Sequence, residues 1–109
     1  MSLPKPPKAF ETFTRRYPKL GAAWELIHDA GDEGPLDERT RRLVKLGVAI
    51  GAMREGAVRA GVRKALAMGI EPEAIEQVIA LAAGTIGMPA TVAVSTWLAD
   101  IIEPSKPPA

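Results

Sequence analysis

A single histidine, His28, and no cysteine leave this chain few of the usual groups for nucleophilic or redox chemistry. Without a thiol there is no disulfide, no thiolate metal ligand and no cysteine nucleophile. The carboxylates are scattered, and one imidazole does not complete a ligand set, so no metal is expected. No glycine-rich phosphate loop is visible, and no cofactor is expected. His28 reads as a residue at a helix edge, with proton transfer as its alternative role. Arg59, Arg63 and Lys64 form a basic face that reads as solvated.

Composition narrows the classes further. At 109 residues the chain is long enough for one compact domain and too short for two. Apolar residues at 47% and charged residues at 25% suit a globular protein and argue against general disorder. A net charge of +1 gives no electrostatic reason to expect nucleic acid or a membrane surface as partner. Two short helices around Gly69 could suggest a helix-turn-helix DNA reader. Its second helix, however, would carry Glu73 and Glu76 and no basic residue between Pro72 and Ala83, so it would repel phosphate. No positively charged leader with an apolar run opens the chain, and a cytoplasmic location is the default expectation.

The elements that would position any site all read as helices. Aromatic residues are only 5%, alanine is abundant and alternating runs are lacking, so strands are not expected. The domain is expected over residues 8–103, with proline-rich tails at 1–7 and 104–109 lying extended along the surface. Phe10, Phe13 and Tyr17 share one face of a first helix that ends at Pro18. Pro18 opens a second helix through Ala30, with Trp24 and Ile27 on one side. A loop spans Gly31 to Pro35. Asp37 is a suitable N-cap for a long helix, which breaks near Arg54 and Glu55. The next helix carries Val58, Val62, Ala65 and Leu66 and stops at Gly69, a natural C′ residue. Pro72 and Pro89 suit the first turns of two further helices.

Two stretches set an expectation about assembly. Leu46 to Met53 carries no charge on any helical face, and Val78 to Ala99 carries none at all. Gly84, Gly87 and Pro89 interrupt the second run, and each half is far shorter than the roughly 20 residues a bilayer span needs. It therefore reads as a buried helical hairpin rather than a membrane segment. A helix apolar all round must be enclosed, and a domain this small has too much surface to enclose two of them alone. Homo-oligomerisation is expected to cover the remainder. Met53, Met68 and Met88 read as core filler, and Trp24 and Trp97 as packing residues.

Three local patterns occur in order: Leu36-Asp37-Glu38-Arg39-Thr40-Arg41-Arg42-Leu43, then Val62 to Ile75 around Met68-Gly69-Ile70-Glu71-Pro72, then Gly87-Met88-Pro89-Ala90. Together, over roughly residues 36–98, they resemble the carboxymuconolactone decarboxylase family, which includes the alkylhydroperoxidase-D-like proteins. The resemblance implies an all-α bundle that assembles as trimers or hexamers, often through the alanine-rich hairpin. In the peroxidase branch it implies a Cys-x-x-Cys pair, a histidine four residues on and an upstream glutamate. There a thiolate attacks peroxide, a second thiol resolves it and acid–base groups move protons. The decarboxylase branch dispenses with the cysteines and keeps the histidine.

Carried over to this chain, the two cysteine positions fall on Arg54 and Ala57, the histidine position on Gly61 and the glutamate position on Arg42. None of the four can serve as thiol nucleophile or neutral-pH base. The resemblance thus implies a family member without thiol peroxidase chemistry. If the family pocket persists, Arg42 and Arg54 would line it, which favours a small carboxylate or another anion. The competing reading leaves Arg42 in solvent beside Glu38, with Arg54 pairing with Glu55 or capping a helix C-terminus. A further alternative is a non-catalytic oligomeric scaffold that kept the fold and lost the reaction.

Overall fold

In a computed structural model of the chain the described residues are 8–103, and they form six helices with no strand among them. The proline-rich tails fall outside these residues.

Local signals place the helix ends. Helix α1 covers Lys8–Arg16, and α2 covers Pro18–Gly31 with its proline in the first turn. Helix α3 covers Glu38–Gly51, and the Asp37 side chain accepts a hydrogen bond from the Thr40 backbone N–H at 2.7 Å. That bond satisfies one of the free N–H groups of the first turn. Helix α4, Glu55–Ala67, ends on Gly69 at φ +85°. The Gly69 N–H donates to the Leu66 carbonyl and the Ile70 N–H to the Ala65 carbonyl, each at 3.0 Å. This closes a Schellman motif whose following residue, Ile70, is buried in the core. Helices α5, Pro72–Ile86, and α6, Met88–Ile102, meet at Gly87, whose φ of +87° turns the chain back.

The break between α3 and α4 repeats the same motif without a glycine. The Arg54 N–H donates to the Ala49 carbonyl and the Met53 N–H to the Ile50 carbonyl. Met53 takes the left-handed position at φ +54°, a conformation L-residues rarely adopt.

Helices α3 to α6 form a four-helix body in which α3 and α6 each pack on α4 and α5. Its core takes Leu46 and Ile50 from α3, Val58, Val62 and Ala65 from α4, Ile75 and Ile79 from α5, and Val94 and Leu98 from α6. The three- and four-residue spacings put each set on one helical face. Helices α1 and α2 pack on each other, with Phe13 and Tyr17 rings 5.1 Å apart, and bury no residue of their own.

Within the single chain the uncharged stretches are only partly enclosed, and the readings of some single residues need correction. The uncharged end of α3 buries Leu46 and Ile50 but leaves Val48 68% exposed. The α5–α6 hairpin forms as expected, yet Leu81 is 73% exposed and Val92 is exposed too. A four-helix body offers each helix one inner face, so a helix apolar all round keeps its other faces outside. Met53 and Met88 are exposed rather than core filler, whereas Met68 packs against the core. Trp97 also packs there, but Trp24 is 55% exposed. Among the described residues no helix is long and apolar enough to cross a membrane.

Candidate functional site: a cationic cavity

Helix α2 stands across α3 and α4 without packing tightly on either, and the space left is a cavity of about 380 Å³. Three stripes at helical spacing line it. Helix α2 presents Trp24, Ile27 and His28; α3 presents Arg42, Lys45, Leu46 and Ala49; α4 presents Ala57, Ala60, Gly61 and Lys64. A smaller adjoining hollow of about 180 Å³ shares His28, Arg42, Lys45 and Lys64 and adds Asp32, Glu38, Arg41 and Met68. One end of the space is therefore cationic, and the other is walled by indole, aliphatic and alanine side chains.

Several of the surrounding charges are paired. Arg39 holds Glu71 through two hydrogen bonds of 2.7 and 3.3 Å. Arg41 pairs with Asp32 at 3.2 Å, tying the end of α2 to α3. Arg59 bridges Glu55 and Asp100, each at 3.0 Å. By contrast, no ion pair joins Arg42, Lys45 or Lys64 to a carboxylate among the described residues.

Burial sharpens the effect. The Arg42 Nε–H is buried and has no hydrogen-bond partner among the described residues. An unpaired buried donor costs about 1–3 kcal/mol, and more for a charged group. Burial pulls the Arg42 guanidinium below its ordinary pKa, while Asp32 and then Glu38 act to restore it. The Lys64 ammonium is held below the usual lysine range, first by desolvation and then by the like charges of Arg42 and Lys45. Arg42 and Lys45 thus act as like charges on Lys64 within one half-buried space.

The sequence-derived site residues divide here. Arg42, Ala57 and Gly61 line the cavity together. Arg54 is not among its lining residues; it is the exposed N-cap residue of α4, and its carbonyl accepts the Val58 N–H at 2.9 Å. Glu55 pairs with Arg59 instead. Arg42 does not lie free in solvent beside Glu38; it is half-buried in the cavity wall. His28 does sit in the last turn of α2, 3.7 Å from Asp32, and it also lines the cavity.

Lys64 does not belong to a solvated basic face. It turns inward one helical turn beyond Gly61, while Arg63 stays exposed. Lys45, Trp24 and Ile27 complete the site and were not picked out as site residues from sequence. At the position that the resemblance gives to a histidine, a Cβ on Gly61 would lie 3.3 Å from Leu46 Cδ1, so a side chain there would require that core leucine to give by a few tenths of an ångström.

The molecule is thus an all-α bundle carrying a cation-lined, thiol-free cavity between its second, third and fourth helices. The model of the carboxymuconolactone decarboxylase family matches residues 18–100, and the chain belongs to that family. No curated protein and no solved structure matches it. The matched span begins at α2, earlier than the motifs that carried the resemblance, and it contains every residue lining the cavity. Among the described residues, no group of three or more histidine and acidic side chains is placed to hold a metal ion.

Proposed function

We propose that this carboxymuconolactone decarboxylase family member binds, and acts on, a small metabolite with a carboxylate at one end and an apolar body. The observation that carries the reading is the half-buried Arg42, with no ion pair among the described residues, beside Lys45 and Lys64 in one cavity. A carboxylate can accept two parallel N–H bonds from arginine, a match that a lysine does not offer. Trp24, Ile27 and Ala49 supply apolar contact for the rest of the ligand. With no cysteine in the chain, thiol peroxidase chemistry has no nucleophile here.

The test is a thermal-shift and calorimetric screen of small carboxylates against matched chloride. Several carboxylates should raise Tm, and Arg42→Ala should weaken binding roughly tenfold or more, in line with the about 1.5–3 kcal/mol of a charged hydrogen bond. Absence of any carboxylate-dependent stabilisation would remove this reading. Arg54→Ala, by the cavity's geometry, should leave binding unchanged.

We also propose a cytoplasmic homo-oligomer, a trimer or hexamer as the family resemblance implies. Support for association comes from the exposed apolar residues of α2 (Leu26, Ile27) and of α3 and α5 (Val44, Val48, Leu81). The alternative, an oligomeric scaffold without a ligand, shares that support, and the carboxylate screen separates the two.

A further inference from the structure

Lysine amines attack carbonyl carbon only when unprotonated, which an exposed lysine at neutral pH almost never is. Two conditions change this: removal of the ammonium from water, and nearby positive charge. Lys64 meets both. It is half-buried on α4, and its neighbours across the cavity, Arg42 and Lys45 from α3, are both cations. The acids of the adjoining hollow do not offset this. Asp32 is taken up by Arg41 and faces His28, and the pull of Asp32 and Glu38 falls on Arg42. Room for a reacting group exists beside the amine. The preceding turns of the same α4 face are Ala57, Ala60 and Gly61, whose small side chains leave the cavity open.

We propose that Lys64 is an amine nucleophile that condenses with the keto group of an oxo-carboxylate whose carboxylate is gripped by Arg42. This deepens the carboxylate-binding reading and rests on it. The step balances without any further reagent. The Lys64 nitrogen forms a bond to the carbonyl carbon, the carbonyl oxygen takes up two protons from the ammonium and leaves as water, and a protonated imine remains. One positive charge enters, on the ammonium, and one leaves, on the iminium. That iminium withdraws electrons from the neighbouring carbon, as chemistry beside a keto group requires. Hydrolysis returns the free lysine.

The geometry also says why this lysine and not another. Lys8 and Lys19 are exposed and line neither hollow of the site. Lys45 lines the same cavity from α3, whereas Lys64 stands on the small-residue face of α4 that leaves room for a carbonyl carbon.

The experiment uses the full chain with pyruvate and, separately, acetoacetate, each with cyanoborohydride to reduce any imine to a stable amine. Intact mass and peptide mapping then locate the adduct. A single adduct on the peptide carrying Lys64 is expected, formed at least tenfold faster than on Lys8 or Lys19. The arms distinguish a 2-oxo from a 3-oxo acid by which labels faster. Lys64→Arg, which keeps the positive charge but offers no amine nucleophile, should abolish the adduct.

Labelling spread evenly over surface lysines, labelling at Lys45, or no adduct while carboxylates still stabilise the protein would each overturn the nucleophile and leave the binding site standing. No stabilisation by any carboxylate, with no adduct, would overturn both. A non-oxo carboxylate that slows Lys64 labelling would tie the two together at one cavity.

Discussion

Lys64 costs the folded chain something at neutral pH, and the sign of that cost can be followed with pH. Its ammonium is held below the ordinary lysine range by burial and by Arg42 and Lys45. Below that lowered value both the folded and unfolded chains carry the proton, and the full penalty stands. As pH climbs from there to the ordinary range, the unfolded chain binds more protons than the folded one, so stability rises. Lys64→Met, which keeps the length and removes the charge, should therefore raise Tm at neutral pH by a few degrees. The gain should shrink as pH approaches the ordinary lysine range. Calorimetric scans of both proteins across that span check it, and a constant or growing gain would contradict the account. A residue that destabilises its own fold while lining a cavity fits a functional demand better than a structural one.

At the scale of helices, two chain reversals with the same hydrogen bonds differ in one residue. Gly69 sits in the left-handed position after α4 without steric penalty, and Met53 occupies the matching position after α3 with one. Gly69→Ala should lower stability by about 1 kcal/mol, and Met53→Gly should raise it by up to about the same amount, as read by urea denaturation. Equal effects of like sign would show that surrounding contacts, not backbone conformation, decide both sites.

These reversals also mark what could be read in the sequence. Asp37, Pro18, Gly69, Pro72 and Pro89 each carry a local physical reason to start or stop a helix, and the helix boundaries followed them. Met53 carries none, so the break appeared in sequence only as a change to charged residues at Arg54. The family was legible from ordered motifs around Asp37, Gly69 and Pro89. The cavity was only half legible, because its signal is spread over three helices. Arg42, Lys45 and Ala49 recur at helical spacing, as do Trp24, Ile27 and His28, and Ala57, Ala60 and Lys64. Each stripe alone is indistinguishable from an ordinary face; their convergence depends on how α2 crosses α3 and α4. Arg54 failed for the complementary reason. Its place in a motif does not aim its side chain, and as N-cap residue of α4 it stands outside the lining.

For the whole molecule, exposed apolar surface is the dominant unsettled energy. Val48 and Leu81 lie on faces of α3 and α5 that the four-helix body does not cover, and α1 and α2 bury nothing of their own. Each fully covered side chain of this kind contributes about 1.5–3 kcal/mol. In the proposed homo-oligomer, Val48→Glu together with Leu81→Glu should dissociate the assembly, because each would place an unpaired charge in an apolar contact. Light scattering coupled to size exclusion gives the mass directly. A wild-type chain that runs as a single copy at high dilution would set the assembly aside and leave the carboxylate reading to be judged by its own screen.

Helix α2 is roof and outer wall at once: Trp24 and Ile27 line the cavity, yet each keeps more than half its surface in solvent. If a partner pressing on α2 from outside shifts the free energy of occupancy within, then by reciprocity an occupant shifts the affinity of that partner equally. Titrating a bound carboxylate should then change not only melting but also the dilution at which copies separate, so that metabolite supply and quaternary state would be read off a single equilibrium.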